Sequence, residues 1–228
     1  MLTWGDHEST YGGDMSGVRR VLSLVALAAV LVPVVVFVGP DEGAAQVLPR
    51  VFVSEIHYHP QQVGTAFPDF DDREDTEFIE LVNLEATAVD VGGWCLNDGV
   101  DFCFAPGTTL APQNPVVIAQ DAARFESIHG TAPDGVYEGR LSNSGEQVRL
   151  IDSAGTVVTA VVWQTTNPWP LSPDGNGPSL ELFATAGTNS DPSNWRASAE
   201  VDGTPGLLPS LSGQPQPLVL SYLSLIHI

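Results

Sequence analysis

Lysine is absent from the 228 residues, and eight arginines stand against 28 aspartates and glutamates, a formal net charge of −20. A field of that sign repels phosphate backbones and anionic lipid, so nucleic-acid binding is disfavoured from the start. Charge is scarce as well, at 16% of residues, so the imbalance comes from missing bases and not from a highly charged chain. Cysteine occurs only twice, and no Cys-x-x-Cys redox pair is present. There is no Gly-x-Ser-x-Gly nucleophile elbow and no repeat at solenoid or propeller period.

What is present points to a small-stranded domain. Apolar residues make up 43%, enough for a core and too many for a disordered acidic polymer. The 22 glycines and 18 prolines exceed the usual combined share of about 12%, which argues against long helices and for short strands joined by turns.

Arg19 and Arg20 precede an apolar run from Val21 to Val38, followed by Gly43-Ala44-Ala45. Charge, apolar stretch and small residues in that order are the layout of a secretory signal, with cleavage expected after Ala45 and the true start at Met15. The same run is near the lower length limit for an uncleaved membrane anchor. Either way residues 46–206 are expected outside the cytoplasm, as an extracellular or cell-surface domain. Without residues 1–45 the acidity persists, at 23 acids and 6 arginines.

Export permits disulfides. Cys95 and Cys103 flank Asn97-Asp98-Gly99, a hairpin signal. A hairpin centred on Gly99 places Cys95 opposite Cys103, close enough for a cross-strand bridge.

Strands are expected over Arg50–Tyr58, Glu77–Asn83, Trp94–Asn97, Asp101–Phe104, Val116–Ile118, Gln147–Asp152, Val157–Trp163 and Ser179–Phe183. Which side of Glu77–Asn83 faces the core stays open. A short helix over Ala122–His129 is capped by Asp121 and stopped at Gly130. Regular short strands with turn signals read as an all-β sandwich or barrel. After Gly206 the chain becomes a Pro/Ser-rich linker over 207–228. Its last residues, Leu223–Ile228, resemble the translation of a transposase adaptor used in sequencing libraries. The expectation is then that the protein continues beyond about Leu220; a short apolar terminal strand is the alternative.

Eight motifs follow one another in a familiar order. They are Ser54-Glu55-Ile56-His57-Tyr58-His59-Pro60, Glu77-Phe78-Ile79-Glu80-Leu81-Val82-Asn83, Val91-Gly92-Gly93-Trp94-Cys95-Leu96-Asn97-Asp98, Phe104-Ala105-Pro106-Gly107-Thr108 and Leu141-Ser142-Asn143-Ser144-Gly145-Glu146. Trp169-Pro170 with Asp174-Gly175-Asn176-Gly177-Pro178-Ser179-Leu180-Glu181-Leu182, Asn194-Trp195 and Gly203-Thr204-Pro205-Gly206 complete the series. Over about residues 48–206 the chain resembles the lamin-tail domain in its bacterial and archaeal form. The resemblance implies an immunoglobulin-like β-sandwich and an interaction or accessory module of exported proteins, sometimes found beside nucleases or other hydrolases. It transfers no catalytic residues. The loop Gln61–Asp75 looks like an insertion, so its role is not carried over.

Asp69, Asp71, Asp72, Glu74 and Asp75 in that loop are a candidate calcium site, although Arg73 and Glu74 break the EF-hand template where an oxygen ligand and glycine belong. A solvated acidic loop is the plainer alternative. Glu55, His57 and His59 share a strand face by the period of two, and read as metal ligands or as a solvent-facing or edge row. Asp174–Gly177 reads first as a turn. Ser142 and Ser144 lie near Gly145 without a paired base. Glu77 and Glu80 could be paired carboxylates; the plainer reading puts one on the surface and one in a buried hydrogen bond. Trp94 and Trp195 read as core, while Trp169, between two prolines, reads as exposed.

The sequence thus leads to an exported, non-catalytic module that binds an extracellular protein or glycan. The alternatives are the accessory domain of a truncated secreted hydrolase or nuclease, and a calcium-dependent adhesion module.

Overall fold

Strand-forming stretches rich in Val, Ile, Leu and Phe account for most of the regular structure in residues 48–61 and 76–208, the parts of the chain described by the computed structural model. The N-terminal apolar run, the acidic loop and the terminus beyond Leu208 lie outside the described residues. In chain order the elements are β1 (Val51–His57), β2 (Phe78–Asn83), β3 (Val89–Asp90), β4 (Cys95–Asp98), β5 (Val100–Cys103), β6 (Thr109–Leu110), β7 (Pro115–Ala119) and α1 (Ala122–His129). They continue with β8 (Gly135–Val136), β9 (Glu138–Gly139), β10 (Gln147–Ile151), β11 (Val157–Val162), β12 (Leu180–Leu182) and β13 (Trp195–Ala197).

These strands form two main sheets. One has the order β13-β12-β1-β2-β7-β8, the other β11-β10-β4-β5-β9, and β3 pairs with β6 apart from them. All pairings are antiparallel except β7 with β8. The two sheets pack face to face as an immunoglobulin-like sandwich. Val53 and Ile56 of β1, Ile79 and Leu81 of β2, and Leu180 and Leu182 of β12 meet Leu96, Val148, Leu150 and Val161 from the other sheet. Each such side chain contributes about 1.5–3 kcal/mol by leaving water. Tyr58, Trp163, Trp169 and Trp195 join the same core, with Trp169 and Trp195 6.1 Å apart between ring centres. Trp169 is therefore buried, contrary to expectation: the flanking prolines turn the chain, and the ring folds back into the sandwich.

One irregularity decides which residues face where. Val53 pairs with Leu81 and Glu55 with Glu80, so Ser54 is an extra residue in β1. This bulge lets Val53 and Ile56 point into the core while Glu55 and His57 point to the opposite face. That outer face is not solvated. Phe78, Val117 and Ala119 pack beneath Phe125 of α1, whose ends are capped as the sequence indicates. The Asp121 carboxylate accepts from Arg124 N at 2.9 Å, and Gly130, in the left-handed region, donates to Glu126 O at 2.8 Å.

The hairpin also forms as its turn residues require. Cys95 opposes Cys103, and the two are joined with Cα atoms 4.1 Å apart. Ellman titration of unreduced protein is expected to find no free thiol; two would contradict the bridge. Closing so short a loop contributes about 2.5 kcal/mol in the chain-entropy picture.

Candidate functional site

The outer face of the six-stranded sheet carries a row of acids. Across three adjacent strands, Glu181 (β12) opposes Glu55 (β1), which opposes Glu80 (β2). Arg196 (β13) stands beyond Glu181 and binds it at 3.0 Å. Glu55 and Glu80 are 2% and 1% exposed. A buried carboxylate needs donors, and the fold supplies them. Ser179 Oγ and Thr204 N donate to Glu55 Oε1, the latter at 2.7 Å. Ser54 Oγ, re-aimed by the bulge, donates to Glu80 Oε1 at 2.7 Å, and Gly206 N to Glu80 Oε2 at 2.7 Å. Burial outweighs these bonds. It pushes the Glu55 carboxyl up to about 7 and that of Glu80 up to about 8, with the facing acids adding repulsion.

The donors Thr204 and Gly206 belong to a strap that runs over the row. Gly203 is in the left-handed region (φ +81°), and a Cβ there would stand 2.5 Å from Glu55 Oε1 and 2.9 Å from the Phe78 ring. Glycine is thus required both by backbone conformation and by contact.

His57 and His59 diverge. His57 is fully buried, and its Nε2–H donates to Gly177 O at 3.1 Å; burial pushes its pKa down to about 4. His59 is part-exposed and binds Asp174 Oδ1 through Nδ1 at 2.7 Å. The Asp174–Gly177 turn thus anchors both histidines instead of standing alone. The expected solvent-facing or edge position for Glu55 and His57 does not hold, because α1 and the strap cover that face. Among the described residues, no group of three or more His, Cys, Asp or Glu side chains is arranged to hold a metal ion.

Glu77 and Glu80 are both buried, not one buried and one at the surface. Glu77 Oε2 accepts from Tyr137 Oη at 3.1 Å and Leu141 N at 2.8 Å. Ser142 and Ser144 lie in a turn closed by Glu146, which accepts from Ser142 N. Gly145 there has φ +87°, and a Cβ would meet Trp163 O at 2.6 Å. Asp69, Asp71, Asp72, Glu74 and Asp75 lie outside the described residues.

Three asparagines tie down backbone; Asn83 and Asn194 belong to the motif series without a role assigned there, and Asn189 does not stand in it. Asn83 Nδ2 donates to Thr87 O and Leu110 O while its Oδ1 accepts from Glu85 N. Asn194 Nδ2 donates to Ala186 O and Thr188 O. Asn189 links the sheets: its side chain bonds both N–H and C=O of Val53 in β1 and the Thr159 hydroxyl in β11. The available signal was their place at strand ends and in loops, where amides replace missing backbone partners.

A cavity of about 500 Å³ beside the disulfide hairpin is lined by Phe102, Phe104, Leu110 and Val116, among others. Its one acid, Asp134, accepts from Val117 N at 2.8 Å. Among the described residues no helix is long and apolar enough to cross a membrane.

Comparison with known proteins fits this architecture. No curated protein matches the chain. Among solved structures, a DUF4876 family protein from Bacteroides thetaiotaomicron is similar over 75% of each chain, at 11% identity and a TM-score of 0.44. The family model described as Lamin Tail Domain matches residues 44–165, the stretch holding the bulged first strand, the facing Glu80 strand and the disulfide hairpin. The chain belongs to the lamin tail domain family.

Proposed function

We propose that this protein is an exported, non-catalytic interaction module that holds its loops on a rigid sandwich for an extracellular protein or glycan. The observation that carries this reading is the use made of the buried acids. Glu55, Glu77 and Glu80, the groups best suited to acid–base chemistry, accept from the fold's own hydroxyls and amides. A general acid or base must instead reach a substrate proton. Family membership supports the same reading, since lamin tail domains are non-catalytic immunoglobulin-like modules. The disulfide, the paired arginines and the apolar run that follows them support export. The shortage of bases turns the module away from nucleic acid and anionic lipid.

The test is to incubate the purified, disulfide-bonded protein with cell-envelope and extracellular-matrix preparations. Saturable retention that leaves the polymers intact is expected. Release of soluble product, or the absence of any saturable retention, would contradict the reading. A parallel arm with calcium and with chelator separates calcium-dependent adhesion, through the acids at 69–75, from metal-independent binding.

A further inference from the structure

The strap over the carboxylate row has a consequence beyond holding the fold together. Glu55 and Glu80 are directly opposed on neighbouring strands, a register that brings Cβ atoms to about 4.5–5.5 Å. Two ionised carboxylates at that range, out of water, repel strongly. Glu181 acts on both acids and Glu55 acts on Glu80, and Arg196 is engaged by Glu181. A proton on one carboxyl relieves the repulsion. Lifting the strap relieves it too, by letting water reach both groups.

The strap is held to the row by few bonds. It touches the row through two backbone amides, Thr204 N and Gly206 N, and through the Thr204 hydroxyl at 3.3–3.4 Å. Gly203 and Gly206, both in the left-handed region, bracket it. Leu207 and Leu208 beyond it are exposed.

We propose that Gly203–Gly206 is a proton-operated latch, closed over Glu55 and Glu80 while the pair holds a proton and released as both ionise in alkaline solution. Release frees four residues, about 13 Å of extended chain at about 3.3 Å each. The other titratable or charged groups around the pair are His57 on β1, Glu181 on β12, Arg196 on β13, Glu77 just before β2, His129 on α1 and Asp202 at the head of the strap. His57 is held neutral by burial, and His129 is lowered in the same way. Neither histidine therefore gains charge in the alkaline range. The two carboxyls, raised to about 7 and about 8, are the groups that titrate there.

Amide hydrogen exchange followed by NMR, corrected for intrinsic rates, tests the latch on the disulfide-intact protein. Measured relative to the core amides of Leu81 and Leu150, which follow global stability, Thr204 and Gly206 are expected to lose at least a further tenfold in protection between pH 6 and pH 9. In the double variant Glu55→Gln/Glu80→Gln, with neutral isosteres, strap protection is expected to be the same at both pH values. Unchanged wild-type protection would overturn the proposal, as would a pH response retained in the double variant. Circular dichroism reports whether that variant folds; if it does not, the wild-type comparison decides alone.

Discussion

The domain is expected to melt roughly 5–10 °C higher at pH 5.5 than at pH 8.5. Glu55 and Glu80 carry the effect. Their carboxyls are raised by burial to about 7 and about 8 in the fold, against 4.5 for the free side chain. A group raised on folding binds its proton more tightly in the native state. Its stabilisation is therefore full below the unfolded value and is lost as pH climbs through the folded value. For this pair the loss falls between about pH 4.5 and pH 8. Most of it is complete by pH 8.5, on the order of 3 kcal/mol across the interval compared. For a domain of this size, 1 kcal/mol corresponds to about 2–4 °C. His57 works in the opposite direction. Its pKa is lowered to about 4, so its stabilisation is present above 6.5 and fades as pH falls towards 4, which offsets part of the gain below about pH 6.5. Differential scanning calorimetry in matched ionic strength measures the difference. A higher melting temperature at pH 8.5 would contradict the assignment. Glu55→Gln/Glu80→Gln should flatten the profile, separating the pair from the general acidity of the chain.

Asn189→Ala is expected to cost about 3–4 kcal/mol, more than most single truncations of polar residues. β12 pairs with β1 only at Glu55 and Ile56, so the Val53 backbone has no strand partner on that side. The Asn189 amide takes its place, accepting from Val53 N at 3.2 Å and donating to Val53 O at 3.3 Å. The same Oδ1 accepts from Thr159 Oγ1 at 3.0 Å, and the Asn189 carbonyl accepts from Trp195 Nε1 at 2.7 Å. Alanine keeps the last of these bonds and abandons two buried backbone groups and a hydroxyl. Each orphan costs about 1–3 kcal/mol, part of which water entering the gap recovers. Thr159→Val removes one bond and should cost about 1 kcal/mol. Urea unfolding decides; an Asn189→Ala protein within 1 kcal/mol of the parent would show that the link between the sheets is not load-carrying.

Local signals were legible in the sequence, and long-range ones were not. Asn97-Asp98-Gly99 places the hairpin and with it the Cys95–Cys103 register, because turn residues act over two or three positions. Asp121 and Gly130 bound α1 for the same reason. The β1–β12 pairing joins Glu55 with Glu181 and Ile56 with Leu180, far apart along the chain, and no local pattern announces it. The two-residue strands β3, β6, β8 and β9 are too short to show alternation, and β13 follows Asn194 without a run of its own. The site failed for a related reason. A period of two tells which side chains share a face, but not whether something covers it. Glu55 and His57 read as solvated because their cover comes from α1 and from Gly203–Gly206, far along the chain. The bulge at Ser54 hid the rest, since strict alternation would put Val53 and Glu55 on one side.

The account turns on Glu55 and Glu80 being structural acids held largely protonated under the strap. Carbon-13 NMR of the side-chain carboxyls, followed from pH 3 to pH 10, reads this directly. The account predicts that both resonances titrate well above the ordinary glutamate range, near the raised values of about 7 and about 8. Titration of both near 4.5, as for glutamates open to water, would contradict it.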